Sequence, residues 1–425
     1  MRARRLLALL LLAPLLAACG AHPTTAPQGN ARGQSFAPPP APRASELVLA
    51  RKGDLYLVLR PGGPQRRLTK GLKASYPAFS PDGRYVAFLD GASMSGAARI
   101  GIVGANGKGL QVFRSAPPVF PGDYAWNPRR DKIAFWGGSL ETVRPGGVPQ
   151  PIAHAAGRVS SFAWAPDGST YAYAVTPKSS SDVLYIAGSG GAARGLVKAG
   201  PANGIDIARF SPSGTNVLYW VDPAHSASLA ADGLPLYSAP MGGGTPKLLT
   251  TTLPYPSWVQ PVGQGVLVVA GDGREATTNK QLARCDAALG GCTQLNTGKG
   301  LVALDPAGQA GSGWIAYVAA RDVRSDPTPQ EVASWNVSRT LYVVYDGKSI
   351  GTLQRIAQGD IFDPTWGEGG KELAYVQEGA VWLWRFGEHP VRIAPFGASL
   401  DVTSYYGYAS YRGNFAWFAP TPAAP

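Results

Sequence analysis

The chain has 425 residues, 45% hydrophobic and 16% charged, with a formal net charge of +12. Its 54 glycines and 38 prolines are about a fifth of the sequence, against a usual combined share of ~12%. That density of turn residues excludes a helical bundle or coiled coil. The 13 Phe, 18 Tyr and 11 Trp suit strands and exclude wholesale disorder, and 3 cysteines are too few for a disulfide scaffold.

At the start, Met1-Arg2-Ala3-Arg4-Arg5 is a basic segment, followed by an apolar run from Leu6 to Leu16 broken only at Pro14. The run is too short to span a bilayer and reads as a signal peptide over residues 1–18. It ends in Leu16-Ala17-Ala18-Cys19, the pattern of a bacterial lipobox. Cys19 is therefore expected to carry the acyl chains that anchor the protein on the outer side of a membrane. Gly20 after it favours the outer membrane if the organism has one. Cleavage removes three arginines and leaves 36 Lys+Arg against 27 Asp+Glu, a net +9. No run of clustered Lys/Arg goes beyond doublets such as Arg66-Arg67 and Arg129-Arg130, which is no nucleic-acid footprint, so no nucleic-acid partner is expected. Residues 19–45 are rich in Pro, Ala, Thr, Gly and Ser and read as a tether; residues 46–420 read as the folded domain.

From Glu46 onward short alternating strands are separated by Gly/Pro turns, and one unit recurs. Ala78-Phe79-Ser80-Pro81-Asp82-Gly83 with Tyr85-Val86-Ala87-Phe88 returns as Ala163-Trp164-Ala165-Pro166-Asp167-Gly168 with Tyr171-Ala172-Tyr173. It returns again as Arg209-Phe210-Ser211-Pro212-Ser213-Gly214 with Val217-Leu218-Tyr219. Looser copies surround Trp126 and Trp366, and worn ones surround Trp258, Leu304 and Tyr408 to Phe418. With Phe79, Trp126, Trp164, Phe210, Val259, Leu304, Trp366 and Tyr408 as equivalents, the steps are 47, 38, 46, 49, 45, 62 and 42. Such spacing is that of four-stranded propeller blades, roughly 40–50 residues each. Proline at the second turn position and glycine after Asp close a hairpin between the inner strand and the next. Third strands are expected at Asp182–Ile186 and Thr340–Val344, fourth strands at Lys247–Thr250 and Gln354–Ala357. The predicted fold is an all-β propeller of eight blades, with seven as the alternative, its ring closed by both ends of the repeat region.

These repeats resemble the TolB-like (WD-type) β-propeller family over residues 46 to 418, through the aromatic-Ser-Pro-Asp-Gly signature and the apolar-Ala-aromatic strand. The family's own α/β domain, which engages the Tol machinery, is replaced here by the tether. Prolyl-oligopeptidase-like enzymes place similar repeats ahead of a hydrolase domain built on a Gly-x-Ser-x-Gly elbow. No such domain is expected in this chain.

Candidate chemistry is sparse. His22 lies in the tether; His154, His225 and His389 stand singly, without metal-ligand spacing, and neither metal nor cofactor is expected. Asp82 and Asp167 read as turn formers, and with Asp363 they offer no carboxylate pair for hydrolysis. Cys285 and Cys292 frame a Gly-Gly turn and are expected to form a disulfide across a hairpin. The expected binding face combines the long loops Asp222–Gly233 and Arg321–Arg339 with segments leading into inner strands. Its candidate residues are Arg321, Arg324, Trp335, Arg339, Asp123, Asp206 and Asp360. The expected function is a monomeric, lipid-anchored, non-catalytic binding or scaffolding module of the cell envelope with a protein or glycan partner. The alternatives are a polysaccharide lyase or hydrolase working at the axial opening, and a Tol–Pal-type assembly partner.

Overall fold

The computed structural model describes residues 38–42, 45–91, 98–113, 119–152, 154–177, 181–188, 192–323, 327–345, 353–367, 370–396 and 403–418. The expected signal peptide, Cys19 and Arg324 lie outside them. Among the described residues the strands assort into eight four-stranded antiparallel sheets and one two-stranded hairpin. The protein is an eight-bladed β-propeller.

Innermost strands of the second to eighth blades are Ala74–Phe79, Tyr124–Trp126, Arg158–Trp164, Gly204–Phe210, Val259–Val262, Leu301–Ala307 and Ile361–Trp366. The first blade opens with Glu46–Arg51 and takes its inner strand from Phe415–Phe418. Leu47 pairs with Trp417 and Leu49 with Phe415, so the ring closes as the repeats predict. The expected third and fourth strands are present as Val183–Gly188, Thr340–Tyr345, Lys247–Thr252 and Gln354–Gln358.

The repeated turn is held by its own side chains. Ser80 Oγ donates to Asp82 Oδ1 at 2.7 Å, the Arg84 amide donates to the same oxygen at 3.0 Å, and Gly83 takes φ +73°. Asp167 does the same work for the fourth blade. Against a desolvation penalty that acts to raise it, hydrogen bonds from Thr170 and Ser169 hold its carboxyl down to about 2. A carboxylate so committed to a turn is a poor general acid.

Tryptophan earns its place in the repeat by joining blades. The Trp126 indole donates to the Ala78 carbonyl at 3.0 Å, Trp164 to Ala125 at 3.3 Å, and Trp366 to Ala307 at 3.2 Å. Each bond ties an inner strand to that of the preceding blade. Between blades the cores are aromatic: Phe162, Tyr171 and Tyr173 of the fourth blade pack with Trp136 of the third. Trp126→Phe keeps the ring but removes the indole bond to the Ala78 carbonyl, and is expected to cost ~1 kcal/mol in urea denaturation. An unchanged midpoint would show that the indole bond contributes nothing.

The worn copies shift register. In the seventh blade Ala307 opposite Ala316 stands where Ala78 stands opposite Ala87, so the aromatic's place follows Ala307 and is not Leu304; in the sixth, Pro261 rather than Val259 lies opposite Val266. Trp417, opposite Leu47, takes the place that Phe79 has opposite Val86. Tyr408 belongs instead to an extra hairpin, Thr403–Tyr405 with Tyr408–Ser410, that precedes the closing strand. A second irregularity is a bulge in three inner strands, where Tyr76, Asp305 and Asp363 take φ +51°, +43° and +49° just before proline. Tyr76-Pro77, Asp305-Pro306 and Asp363-Pro364 recur in the sequence and mark it.

Candidate functional site

Innermost strands in a propeller line the axis, so their residues face whatever enters it. A cleft of about 680 Å³ runs along the inner strands of the third to sixth blades. Its walls include Tyr124, Trp126, Trp164 and Phe210, together with Pro254, Pro256 and Pro261. Where the strands begin, Asp123 and Asp206 line it; where they end, the turn prolines Pro128, Pro166 and Pro212 border it. Five strand residues span ~16 Å at the usual rise. The cleft thus has the length and walls for an extended segment.

Its polar groups are few and differ between the ends. Burial pushes the Asp123 carboxyl up to about 6; the Phe120 amide and Arg158 oppose that shift, and the Asp206 charge adds to it. Asp206 is likewise raised to about 6, by burial first and then by Asp222 and Asp182, with His225 opposing. Asp206 reaches solvent yet is enclosed by protein, the environment of a channel wall. The other end carries Arg209, whose Nη1 donates to the Val259 carbonyl at 2.7 Å. The sequence held a signal for it. Ala78, Ala125, Ala163 and Ala416 precede the aromatic in other blades, and Arg209 stands where they place alanine.

The predicted loop patch is not a surface patch. Arg339 is 1% exposed, with its guanidinium 4.2 Å from the Phe362 ring centroid and 4.9 Å from that of Trp335. Its Nη2 donates to the Gly407 carbonyl at 2.8 Å and its Nη1 lies 3.5 Å from Asp305 Oδ2. Trp335 is buried too, its indole donating to the Arg321 carbonyl at 2.7 Å. The loop folds into a helix, Pro329–Asn336, started by a capping box of Thr328 and Glu331. Arg321 alone of the described trio is exposed, beside a recess of about 410 Å³. Asp360 faces Arg339 and Glu378 rather than joining Asp123 and Asp206. Of the six described residues expected on one face, Asp123 and Asp206 share the axial cleft, and Arg321 and Trp335 share the separate recess.

A carboxylate pair that the sequence did not suggest lies inside the ring. Asp305 is raised to about 7 by burial and by the neighbouring charge of Asp363, with Arg339 and Arg412 opposing. Asp363 accepts from Ser410 Oγ at 3.1 Å and from Arg412 Nε at 3.1 Å. Both carboxylates are buried, so they fasten blades and meet no substrate. His154 lies 2.8 Å from the Ala155 carbonyl, His225 is 3.7 Å from Asp182, and His389 is exposed. Among the described residues no group of three His, Cys, Asp or Glu could hold a metal ion. Cys285 and Cys292, opposite one another in adjacent strands, are joined by a disulfide. The one Gly-x-Ser-x-Gly string, Gly347 to Gly351, lies outside the described residues.

No protein-family model matches the chain, and no curated protein matches it. Among solved structures, dipeptidyl peptidase 4 from Porphyromonas gingivalis matches with a TM-score of 0.56 at 11% identity, over 82% of this chain and 57% of that one. Puromycin hydrolase matches with a TM-score of 0.49 at 16% identity, over 78% and 55%. TolB from Acinetobacter baumannii matches with a TM-score of 0.35 at 13% identity, over 77% and 67%. The chain thus spans little more than half the length of the two peptidase chains. At these identities the likeness establishes the ring fold and no more. The expectation of a non-catalytic binding or scaffolding module is not upheld, because the same ring fold is found in a dipeptidyl peptidase and is no sign of a lack of catalysis.

Proposed function

We propose that this chain is a peptidase-type propeller, which takes an extended peptide segment into its axial cleft and so serves peptide-bond hydrolysis. The observation that carries this reading is the cleft itself. It is an aromatic-walled cleft of about 680 Å³ with two carboxylates where its strands begin and a guanidinium nearer where they end. That volume is in the ordinary range for ligand clefts, roughly 300–1,000 Å³. Flat indole faces and proline rings suit peptide backbone and proline side chains, while charged ends suit a chain with polar termini. The dipeptidyl peptidase named above shares the ring, which is compatible with this use. We further propose that the protein works outside the cytoplasm, held by lipid on Cys19.

The test uses the full chain incubated with a mixture of synthetic hexapeptides, with both retention and cleavage followed by mass spectrometry. Peptides with aromatic or proline residues are expected to be retained or cut. Trp164→Ala should weaken this at least tenfold while the melting curve still shows a folded ring. If no peptide is retained or cut, the reading falls. In cells, Cys19→Ala is expected to move the protein out of the membrane fraction; unchanged membrane association would overturn the lipid anchor.

A further inference from the structure

Arg209 combines two features: it is enclosed by protein, and no carboxylate faces it. It is the penultimate residue of the inner strand Gly204–Phe210, just after a bulge between Ile207 and Arg209. Its Nη1 donates to the Val259 carbonyl at 2.7 Å and lies 3.5 Å from Gln260 Oε1. Its Nε is buried without an acceptor, and among the described residues Nη2 has none either. No carboxylate acts on it. Burial alone pushes its guanidinium down to about 10, which leaves it cationic at neutral pH. Elsewhere Arg339 faces Asp305, Arg412 faces Asp363, Arg274 faces Asp232 and Arg385 faces Glu372. An enclosed, unpaired guanidinium is costly, and proteins pair or neutralise such charges.

Nothing in the repeat demands an arginine there. The equivalent positions hold alanine at Ala78, Ala125, Ala163 and Ala416, and the blades close around them without a cation. The rest of the cleft offers few competing donors. Pro254, Pro256 and Pro261 have no N–H, and Ser161 Oγ already lies 3.3 Å from the Ile205 carbonyl and accepts from the Ile207 amide at 3.1 Å. Asp123 and Asp206 at the opposite end repel an anion.

We propose that Arg209 is the anchor for a carboxylate in the axial cleft, so that a bound peptide lies with an acid group at Arg209 and its aromatic or proline residues against Trp126 and Trp164. This rests on the peptide reading above and adds its selectivity and direction. Nη2, which has no acceptor among the described residues, is the donor left for a carboxylate, in a charge-assisted hydrogen bond. A C-terminal carboxylate and an acidic side chain present the same chemistry to it.

Calorimetric titration of the full chain with three probes tests this: acetyl-Ala-Ala-Phe, its C-terminal amide, and acetyl-Ala-Glu-Phe amide. The free acid is expected to bind at least tenfold tighter than the plain amide. The glutamyl amide matches the acid if side-chain carboxylates are also accepted, and matches the plain amide if only a C-terminus fits. Arg209→Gln should erase the difference between the free acid and the plain amide. A second measurement needs no variant: hydrocinnamate should displace the acid from the unaltered chain. Equal binding of all three probes would overturn the role of Arg209 while leaving the peptide reading intact. If none of the three binds, both fall.

Discussion

Removal of residues 411–425 is expected to unfold the ring rather than trim it. The deletion takes away Phe415–Phe418, the only partner of the inner edge of Glu46–Arg51, whose Leu47, Val48 and Leu49 are fully buried. It also takes the Asn414 carbonyl that accepts from Ala50 at 2.8 Å and the Gly413 carbonyl that accepts from Tyr76 at 2.7 Å. Phe418, which packs on Phe79 of the second blade at 5.6 Å, goes with it. Several buried side chains at ~1.5–3 kcal/mol each, with ladder bonds of ~1 kcal/mol, put the loss above ~5 kcal/mol. The exposed edge is a template for pairing between chains. The shortened protein should elute as aggregates or lose its cooperative transition. A monomer melting within a few degrees of the intact chain would show that the closing strand is dispensable.

Arg339→Met is expected to destabilise the protein by ~3–5 kcal/mol, the usual cost of breaking a buried ion pair from one side. The guanidinium joins three parts at once. It reaches Asp305 in the seventh blade, the Ile361 carbonyl in the eighth at 3.3 Å, and the Gly407 carbonyl of the extra hairpin at 2.8 Å. Adding Asp305→Asn to the same chain should recover part of the loss, because it removes the stranded carboxylate. The pH dependence supplies a separate sign. Asp305 sits at about 7 in the folded protein, above the ordinary carboxylate value of 3.8. Its protonated form therefore favours folding: the contribution is complete below about 4 and is lost as pH rises through about 7. Urea midpoints of the intact chain should fall across that window by more than those of Asp305→Asn. Parallel profiles would place Asp305 outside this network.

The blades were legible because each repeats one local solution, an aromatic, a Pro-Asp-Gly turn and a strand with central alanine, which physics reads the same way every time. What escaped was whatever broke the repeat. The hairpin Thr403–Ser410 displaced the last register, since Tyr408 imitates the aromatic that Trp417 supplies. Trp335 and Arg339 looked exposed because a long polar loop is ordinarily solvated. The helix within that loop, and the acceptors offered by Gly407 and Ile361, turned both side chains inward. Asp123 and Asp206 were legible as residues entering inner strands. Arg209 was passed over as one more member of a repeat, although its departure from alanine was the informative fact.

The extra hairpin also divides the ring mechanically. Tyr408 stacks on Tyr255 of the connection into the sixth blade at 4.0 Å, and the Tyr406 carbonyl accepts from Ala276 in that blade at 2.8 Å. Gly407 is held by Arg339, and Ser410 by Asp363 of the eighth blade. At Gly407 a side chain would meet Thr277 Cγ2 at 2.8 Å, so the seam there is closed tightly. The third to fifth blades, which carry most of the cleft, have no such brace. Slow breathing of the ring should therefore concentrate along their radial seams. Amide exchange will be fastest there, and a guest too wide for the resting cleft would enter from that flank rather than through the braced one.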